Sequence, residues 1–217
     1  MYTVKTLNTV AERGLSILTE RGITVDDDTP EPDGIVLRSA KLHDYEFPGS
    51  LKAIARAGAG VNNIPVQRCT DQGIVVFNTP GANANSVKEL VIAGLLLSSR
   101  QIFQGLAWTH ALSPQQEDVG KLVEQEKKRF AGPEVAGKKL GIVGLGAIGV
   151  MVANAATGLD MEVIGFDPFI SVESAWGLSR SVRRANSLEA LLSGSDYISL
   201  HVPLNDGTRS MINGESL

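Results

Sequence analysis

Only one cysteine, Cys69, occurs in the 217 residues. A lone thiol closes no intrachain disulfide and builds no thiolate zinc site, so no metal centre is expected, and a reducing, cytoplasmic setting is the simplest inference. Long apolar runs are lacking too. The longest, LVIAGLLL (Leu90 to Leu97), falls well short of the roughly 20 residues that cross a bilayer. The opening MYTVKTLNTVAERG has no apolar core of the kind a signal peptide needs. Positive charge is not in excess: the formal net charge is −4 and the pI near 5.4. A nucleic-acid or anionic-membrane partner therefore has no global electrostatic support, and any bound anion must be held by a local cluster of donors. What is present is ordinary globular material, with 43% apolar and 20% charged residues, enough for a sizeable core in one or two domains.

Along the chain, short apolar runs alternate with helix-like segments. MYTVKTL reads as a strand and Ala11 to Arg21 as a helix with Leu15, Ile17 and Leu18 inward. GIVLRS (Gly34 to Ser39), LKAIARAG (Leu51 to Gly58) and GIVVFNTP (Gly73 to Pro80) have strand length and end in turn-formers. Ile64 to Gln72 reads as a short helix with Pro65 in its first turn. Such alternation predicts a parallel sheet covered by helices. A long helix is then expected from about Asn85, with Ser86 as N-cap and Glu89 completing a capping box, running through Ile92, Leu96 and Ile102 towards Trp108. The charged stretch Gln115 to Arg129 reads as exposed and GPEVAGKK (Gly132 to Lys139) as a linker.

The second half repeats the alternation. KLGIVG, MEVIGFD (Met161 to Asp167) and YISLHVP (Tyr197 to Pro203) read as strands, Ala147 to Thr157 and Ser187 to Asp196 as helices, and Leu217 falls inside the next expected helix. In Gly144-Leu-Gly146-Ala147-Ile148-Gly149 each glycine has its own mechanical reason. The first permits the tight strand-to-helix turn, the second lets a pyrophosphate approach the main chain, and the third allows the helix to lie close to the sheet. The phosphates then meet free N–H groups at the positive helix end. Asp167 ends the next strand at about the spacing expected of the acid that grips the adenosine ribose. Its carboxylate would repel a 2′-phosphate, and the next arginine along the chain is Arg180, so NAD is favoured over NADP. The competing reading is a glycine-rich turn in an unrelated α/β protein with Asp167 a solvated carboxylate.

With these motifs in view, the chain resembles the D-isomer-specific 2-hydroxyacid dehydrogenases, most closely the branch that oxidises D-3-phosphoglycerate. The matching segments are VLRSA (Val36 to Ala40), RAGAGVNNIP (Arg56 to Pro65), GIVVFNTPGANANSVKEL (Gly73 to Leu90), GKKLGIVGLGAIG (Gly137 to Gly149), GFDP (Gly165 to Pro168), HVPL (His201 to Leu204) and TRSMIN (Thr208 to Asn213). The resemblance implies two parallel-sheet domains: a flavodoxin-like substrate domain over residues 1–90, lacking its C-terminal return, and a partial Rossmann NAD-binding domain over 91–217. It further implies a homodimer or homotetramer, and an active site in the cleft between domains. There a hydride passes between C2 of a 2-hydroxy acid and the nicotinamide.

The same resemblance implies that Arg38, Ser39 and Arg56 grip a phosphorylated substrate, that N–H groups around Ala59 and Gly60 hold its carboxylate, and that Asn83 completes the pocket. A guanidinium fork suits a phosphate; the bland alternative for Arg38 is a surface ion pair. On the cofactor side it implies Val87 near the nicotinamide, and His201, Val202, Pro203 and Thr208 along the adenosine side. For His201 a strand-end histidine bonded to nearby backbone is the favoured alternative. Lys127 and Lys128 read as a solvated charge run. The family's catalytic arginine, glutamate and histidine follow the next strand, so none is expected among these residues; all three are expected beyond Leu217. An unphosphorylated acid as substrate, or a non-catalytic NAD-binding module, are the rival readings.

Overall fold

The computed structural model describes residues 1–112 and 118–216; Gln115 to Glu117 of the charged stretch, and Leu217, lie outside them. The chain forms two units, Met1–Asn83 and Ala84–Leu217. The sequence reading divides it at 90/91; the packing assigns the whole of the helix that starts at Ala84 to the second unit.

In the first unit, strands β1 (Thr3–Leu7), β2 (Thr24–Val25), β3 (Gly34–Leu37), β4 (Ala53–Arg56) and β5 (Val75–Phe77) form a wholly parallel sheet in the order β2-β1-β3-β4-β5. That is the flavodoxin-like order. Helices α1 (Glu12–Glu20) and α2 (Val66–Asp71) are its regular crossovers. Ile35 and Leu37 alternate inward on β3 and meet Leu42, Ile54, Ile64 and Cys69 in one cluster. Each such aliphatic side chain stabilises the fold by about 1.5–3 kcal/mol. Burial pushes the Cys69 thiol pKa up, which makes it a packing residue rather than a nucleophile. Leu42 comes from an irregular loop, and Arg68 on α2 anchors that loop. Its guanidinium donates to the carbonyls of Leu42 (2.8 Å), His43 (2.8 Å) and Tyr45 (2.7 Å) and lies over the Phe47 ring.

The second unit begins with helices α3 (Ala84–Ser99), α4 (Ile102–His110) and α5 (Val119–Glu126) and a 3-10 turn (Lys127–Phe130). Strand β6 (Lys139–Val143), helix α6 (Ala147–Thr157), strand β7 (Glu162–Phe166), helix α7 (Val172–Gly177), strand β8 (Arg183–Arg184), helix α8 (Leu188–Ser193) and strand β9 (Tyr197–Leu200) follow. The sheet is parallel, in the order β8-β7-β6-β9, one half of a doubly wound fold. Central β6 is buried from Leu140 to Val143. Helix α6 turns the small buried face Gly149, Val152, Ala153, Ala156 inward, a spacing that lets it lie close to the strands.

Several details depart from the sequence reading. The expected long helix breaks at Arg100–Gln101, where Gln101 takes a left-handed φ of 46°, and α3 and α4 are bent by 70°. No single helix among the described residues is long and apolar enough to cross a membrane. Ser86 lies inside α3 rather than capping it, and Glu89 accepts instead from the Asn85 amide at 2.8 Å. Ile17 points outward from α1, with Leu15 and Leu18 half-buried. The two-residue strands β2 and β8 and helix α7 are additional elements. Residues 205–216 run mostly through turns and bends, and Leu217, expected inside a further helix, lies outside the described residues. Helix α8 does carry its expected cap, the Ser187 hydroxyl accepting from the Ala190 N–H at 3.1 Å.

Candidate functional site

The three glycines of the β6–α6 turn meet three different surroundings. At Gly144, with φ +90°, a Cβ would stand 2.7 Å from the His201 carbonyl oxygen. At Gly149 it would stand 2.0 Å from the Gly144 carbonyl oxygen, so only hydrogen lets α6 begin this close to the turn. At Gly146, which caps α6 in an extended conformation, nothing lies within 4 Å of a Cβ. The space over Gly146 is open. The N–H groups of the first turn of α6, from Ala147 and Ile148 onward, have no partner within the helix, and their dipoles favour an anion.

Asp167 is held against this turn. One carboxylate oxygen accepts the Leu145 N–H at 2.8 Å, and the other accepts the Phe169 N–H at 2.8 Å. An acid one residue past β7 is thus tied to the middle of the glycine loop. Leu145, Gly165, Asp167, Pro168 and Ile170 line a cavity of about 260 Å³ that closes with Leu178, Val182, Arg183 and Arg184. The two arginines escape a sequence reading that measures distance from Asp167 along the chain. Pairing of β8 with β7, Gly165 opposite Arg184, brings them to the same cavity.

On the other side of the turn stand His201 and Val202, whose main chain and side chain face Gly144. The His201 N–H bonds the Val143 carbonyl at 2.8 Å, and its Nε2 meets the Ser199 hydroxyl at 2.9 Å. Burial pushes its imidazole pKa below the ordinary value, so at neutral pH it is uncharged. The Thr208 hydroxyl donates to the Pro203 carbonyl at 2.5 Å and accepts from the Asn205 N–H, closing a short loop. Val202, Pro203 and Thr208 share a separate hollow of about 230 Å³. Val87 is half-buried on α3. Lys127 pairs with Glu124 at 2.5 Å, both exposed.

The first unit gathers its own candidates at the C-terminal ends of β3 and β4. Leu37 pairs with Arg56 across the two strands, so Arg38 follows one residue past the register of Arg56 at the same end of the sheet. The Arg56 Nε donates to the Arg38 carbonyl at 3.0 Å, and an Nη donates to the Gly60 carbonyl. Arg56 therefore ties the two loops together while keeping its charge beside them. Arg38 and Ser39 are exposed. Among the described residues, the N–H groups of Ala59 and Gly60 have no acceptor, while the Ala59 carbonyl takes the Asn78 amide at 2.6 Å. Asn83 is exposed at the end of the unit. Two residues absent from the sequence reading hold the Ser39–Ala40 main chain. Asn8, at φ 79°, accepts both N–H groups at 2.9 and 2.6 Å, and the Asn63 amide donates to the Ala40 carbonyl at 2.7 Å.

Residues 92–217 match the family model described as "D-isomer specific 2-hydroxyacid dehydrogenase, NAD binding domain". The chain belongs to this family. It is 40% identical over 167 residues to a D-3-phosphoglycerate dehydrogenase of Methanocaldococcus jannaschii, covering 77% of this chain and 29% of that protein. It is also 40% identical over 196 residues to a hydroxypyruvate reductase of Thermotoga maritima, covering 87% of this chain and 57% of that one. Among solved structures, the NAD+-bound 3-phosphoglycerate dehydrogenase of Entamoeba histolytica superposes with a TM-score of 0.74 at 28% identity, over 100% of this chain and 67% of that one. The chain thus spans about a third to just over half the length of the curated relatives it matches.

As in the family, the second unit of this chain is an NAD-binding domain, and its residues fit that dinucleotide. The diphosphate needs bare main chain at a helix start, and Gly146 is open there. The ribose next to adenine needs a fixed carboxylate, and Asp167, its oxygens oriented by two N–H groups, is suited to that place. Adenine needs a largely apolar slot, for which Leu145, Ile170, Leu178 and Val182 are suited.

Proposed function

We propose that the protein to which this chain belongs oxidises 3-phospho-D-glycerate to 3-phosphohydroxypyruvate with NAD, the first step towards serine. One observation supports the reading: the adjacent ends of β3 and β4 carry Arg38 and Arg56, and the Arg56 Nε donates to the Arg38 carbonyl. Two arginines on neighbouring strand ends suit a phosphate better than a neutral hydroxymethyl group, because charge-assisted bonds are roughly twice as strong as neutral ones. The first unit acts as the substrate-binding domain, with the free N–H groups of Ala59 and Gly60 taking the substrate carboxylate and Asn83 beside them.

Bound NAD supplies the hydride acceptor. Loss of hydride from C2 also requires a base for the hydroxyl proton. None of the histidines here suits that role, since His201 is turned to Ser199 and His43 to the Asn62 carbonyl, while His110 lies at the end of α4. We assign the base, its carboxylate partner and the substrate-binding arginine to sequence beyond Leu217. We further assign the whole protein to the cytoplasm, as a homodimer or homotetramer. Leu90, Phe103 and Leu106, exposed on α3 and α4, offer the apolar surface for that association.

The similarity to a hydroxypyruvate reductase favours a second reading, in which the substrate carries no phosphate. Turnover of 3-phosphoglycerate and of glycerate by the full-length protein, followed as NADH formed, separates the two. A kcat/KM at least about a hundredfold higher is expected for the phosphorylated acid, from two charge-assisted contacts. Equal rates overturn the proposal.

A further inference from the structure

Cofactor choice at the adenosine end depends on more than Asp167. Strands β7 and β8 run parallel, with Ile164 opposite Arg183 and Gly165 opposite Arg184. Side chains alternate between faces along a strand, so Arg184 shares a face with Gly165 and, beyond it, Asp167. Arg183 also lines the cavity, but its guanidinium is engaged, donating to Glu162 at 2.8 Å. Among the described residues, Arg184 has neither an ion-pair nor a hydrogen-bond partner. Its neighbour on that face is Gly165, which has no side chain of its own. Leu145 packs over Gly165, where a Cβ would come within 2.8 Å of it, and Gly165, Leu145, Asp167 and Arg184 line one cavity.

The reach is adequate. Asp167 lies two residues past Gly165, and with strands roughly 4.8 Å apart rising roughly 3.3 Å per residue, about 8 Å separates its Cα from that of Arg184. An arginine stem spans most of that distance. A group attached to the ribose that Asp167 grips therefore lies within reach of a free guanidinium. Asp167 would repel a 2′-phosphate, but its charge is partly compensated because each oxygen already accepts a main-chain N–H. Arg184 adds a full positive charge at the same rim, in the fork geometry that phosphate favours.

We propose that Arg184 relaxes the exclusion of NADP, so that this chain binds both dinucleotides, holding the 2′-phosphate on Arg184. The inference rests on the cofactor site described above. Its test is a binding titration of the 217-residue chain with NADH and with NADPH, read by quenching of tryptophan fluorescence. Trp176 on α7, between the cavity residues Ile170 and Leu178, is the natural reporter. NADPH is expected to bind within about thirtyfold of NADH, and Arg184→Ala to weaken NADPH about tenfold while moving NADH less than about twofold. Arg183→Ala, which removes a cation already paired, leaves the ratio unchanged. Raising the salt concentration weakens NADPH more than NADH. NADH binding with no NADPH binding, or an Arg184→Ala effect equal on both or absent from both, overturns the proposal. Failure of both dinucleotides to bind refutes the cofactor site itself, a distinct result.

Discussion

Gly146→Ala and Gly149→Ala add the same methyl group three residues apart, and the structure assigns them opposite consequences. At Gly149 the new carbon would meet the Gly144 carbonyl oxygen at 2.0 Å and its carbon at 3.0 Å. Both are main chain, so no rotamer relieves the clash; α6 or the turn must move, loosening Val152, Ala153 and Ala156 from the sheet. Overpacking of this kind costs about 1–3 kcal/mol, here at the upper end, against a gain of about 0.5–1 kcal/mol from replacing a helical glycine. The net loss is about 2 kcal/mol. At Gly146 the methyl group enters open space at an ordinary φ of −76°. Alanine is a poorer N-cap than glycine by about 0.5–1 kcal/mol, and the stiffer unfolded chain returns about 0.4–1 kcal/mol. Stability is expected to stay level there, while NADH affinity falls at least about tenfold because the methyl group occupies the diphosphate's place. Urea unfolding is a suitable assay, since both tryptophans, Trp108 and Trp176, report on the second unit alone. A Gly149→Ala chain as stable as the parent, or a Gly146→Ala chain with unchanged NADH affinity, refutes the steric reasoning.

Asp167→Ala leaves the Leu145 N–H without its acceptor, so a loss of about 1–2 kcal/mol in urea unfolding is expected together with at least about tenfold weaker NADH binding by titration. For His201, burial depresses the folded-state pKa. The unfolded chain therefore binds the proton more readily. The contribution is full above about pH 6.5, the unfolded value, and is lost as pH falls towards the folded one. Urea midpoints measured across that range should decline on the acid side, and less so in His201→Asn. In Arg68→Lys a single nitrogen replaces the two Nη atoms that reach three carbonyls; the change is expected to destabilise the first unit by about 2 kcal/mol, read by circular dichroism in urea.

The glycine loop was legible because three separate demands coincide in six residues, and those at Gly144 and Gly149 recur in the structure as a positive φ and two close approaches. Helix α6 matches its expected span, Ala147 to Thr157, since a glycine turn starts it and an apolar face continues it. Elements fixed only by tertiary partners stayed hidden. A two-residue strand such as β8 has no periodicity to detect, so the arginines it carries could not be assigned to the cavity of Asp167. Nothing in Arg100–Gln101 announces a left-handed break within an apolar helical pattern. Arg56 carries the charge a phosphate site needs, but its tie to the Arg38 and Gly60 carbonyls depends on strand register. Asn8 reaches the Ser39–Ala40 main chain from the far end of β1, a contact that local sequence cannot signal.

The most direct measurement is a crystal structure of the chain with NAD. Diphosphate oxygens are expected within hydrogen-bonding distance of the main chain between Gly146 and Ile148, with both hydroxyls of the adenosine ribose on the Asp167 carboxylate. A dinucleotide lodged elsewhere, or an Asp167 side chain turned away from that sugar, would contradict the assignment of this cofactor site.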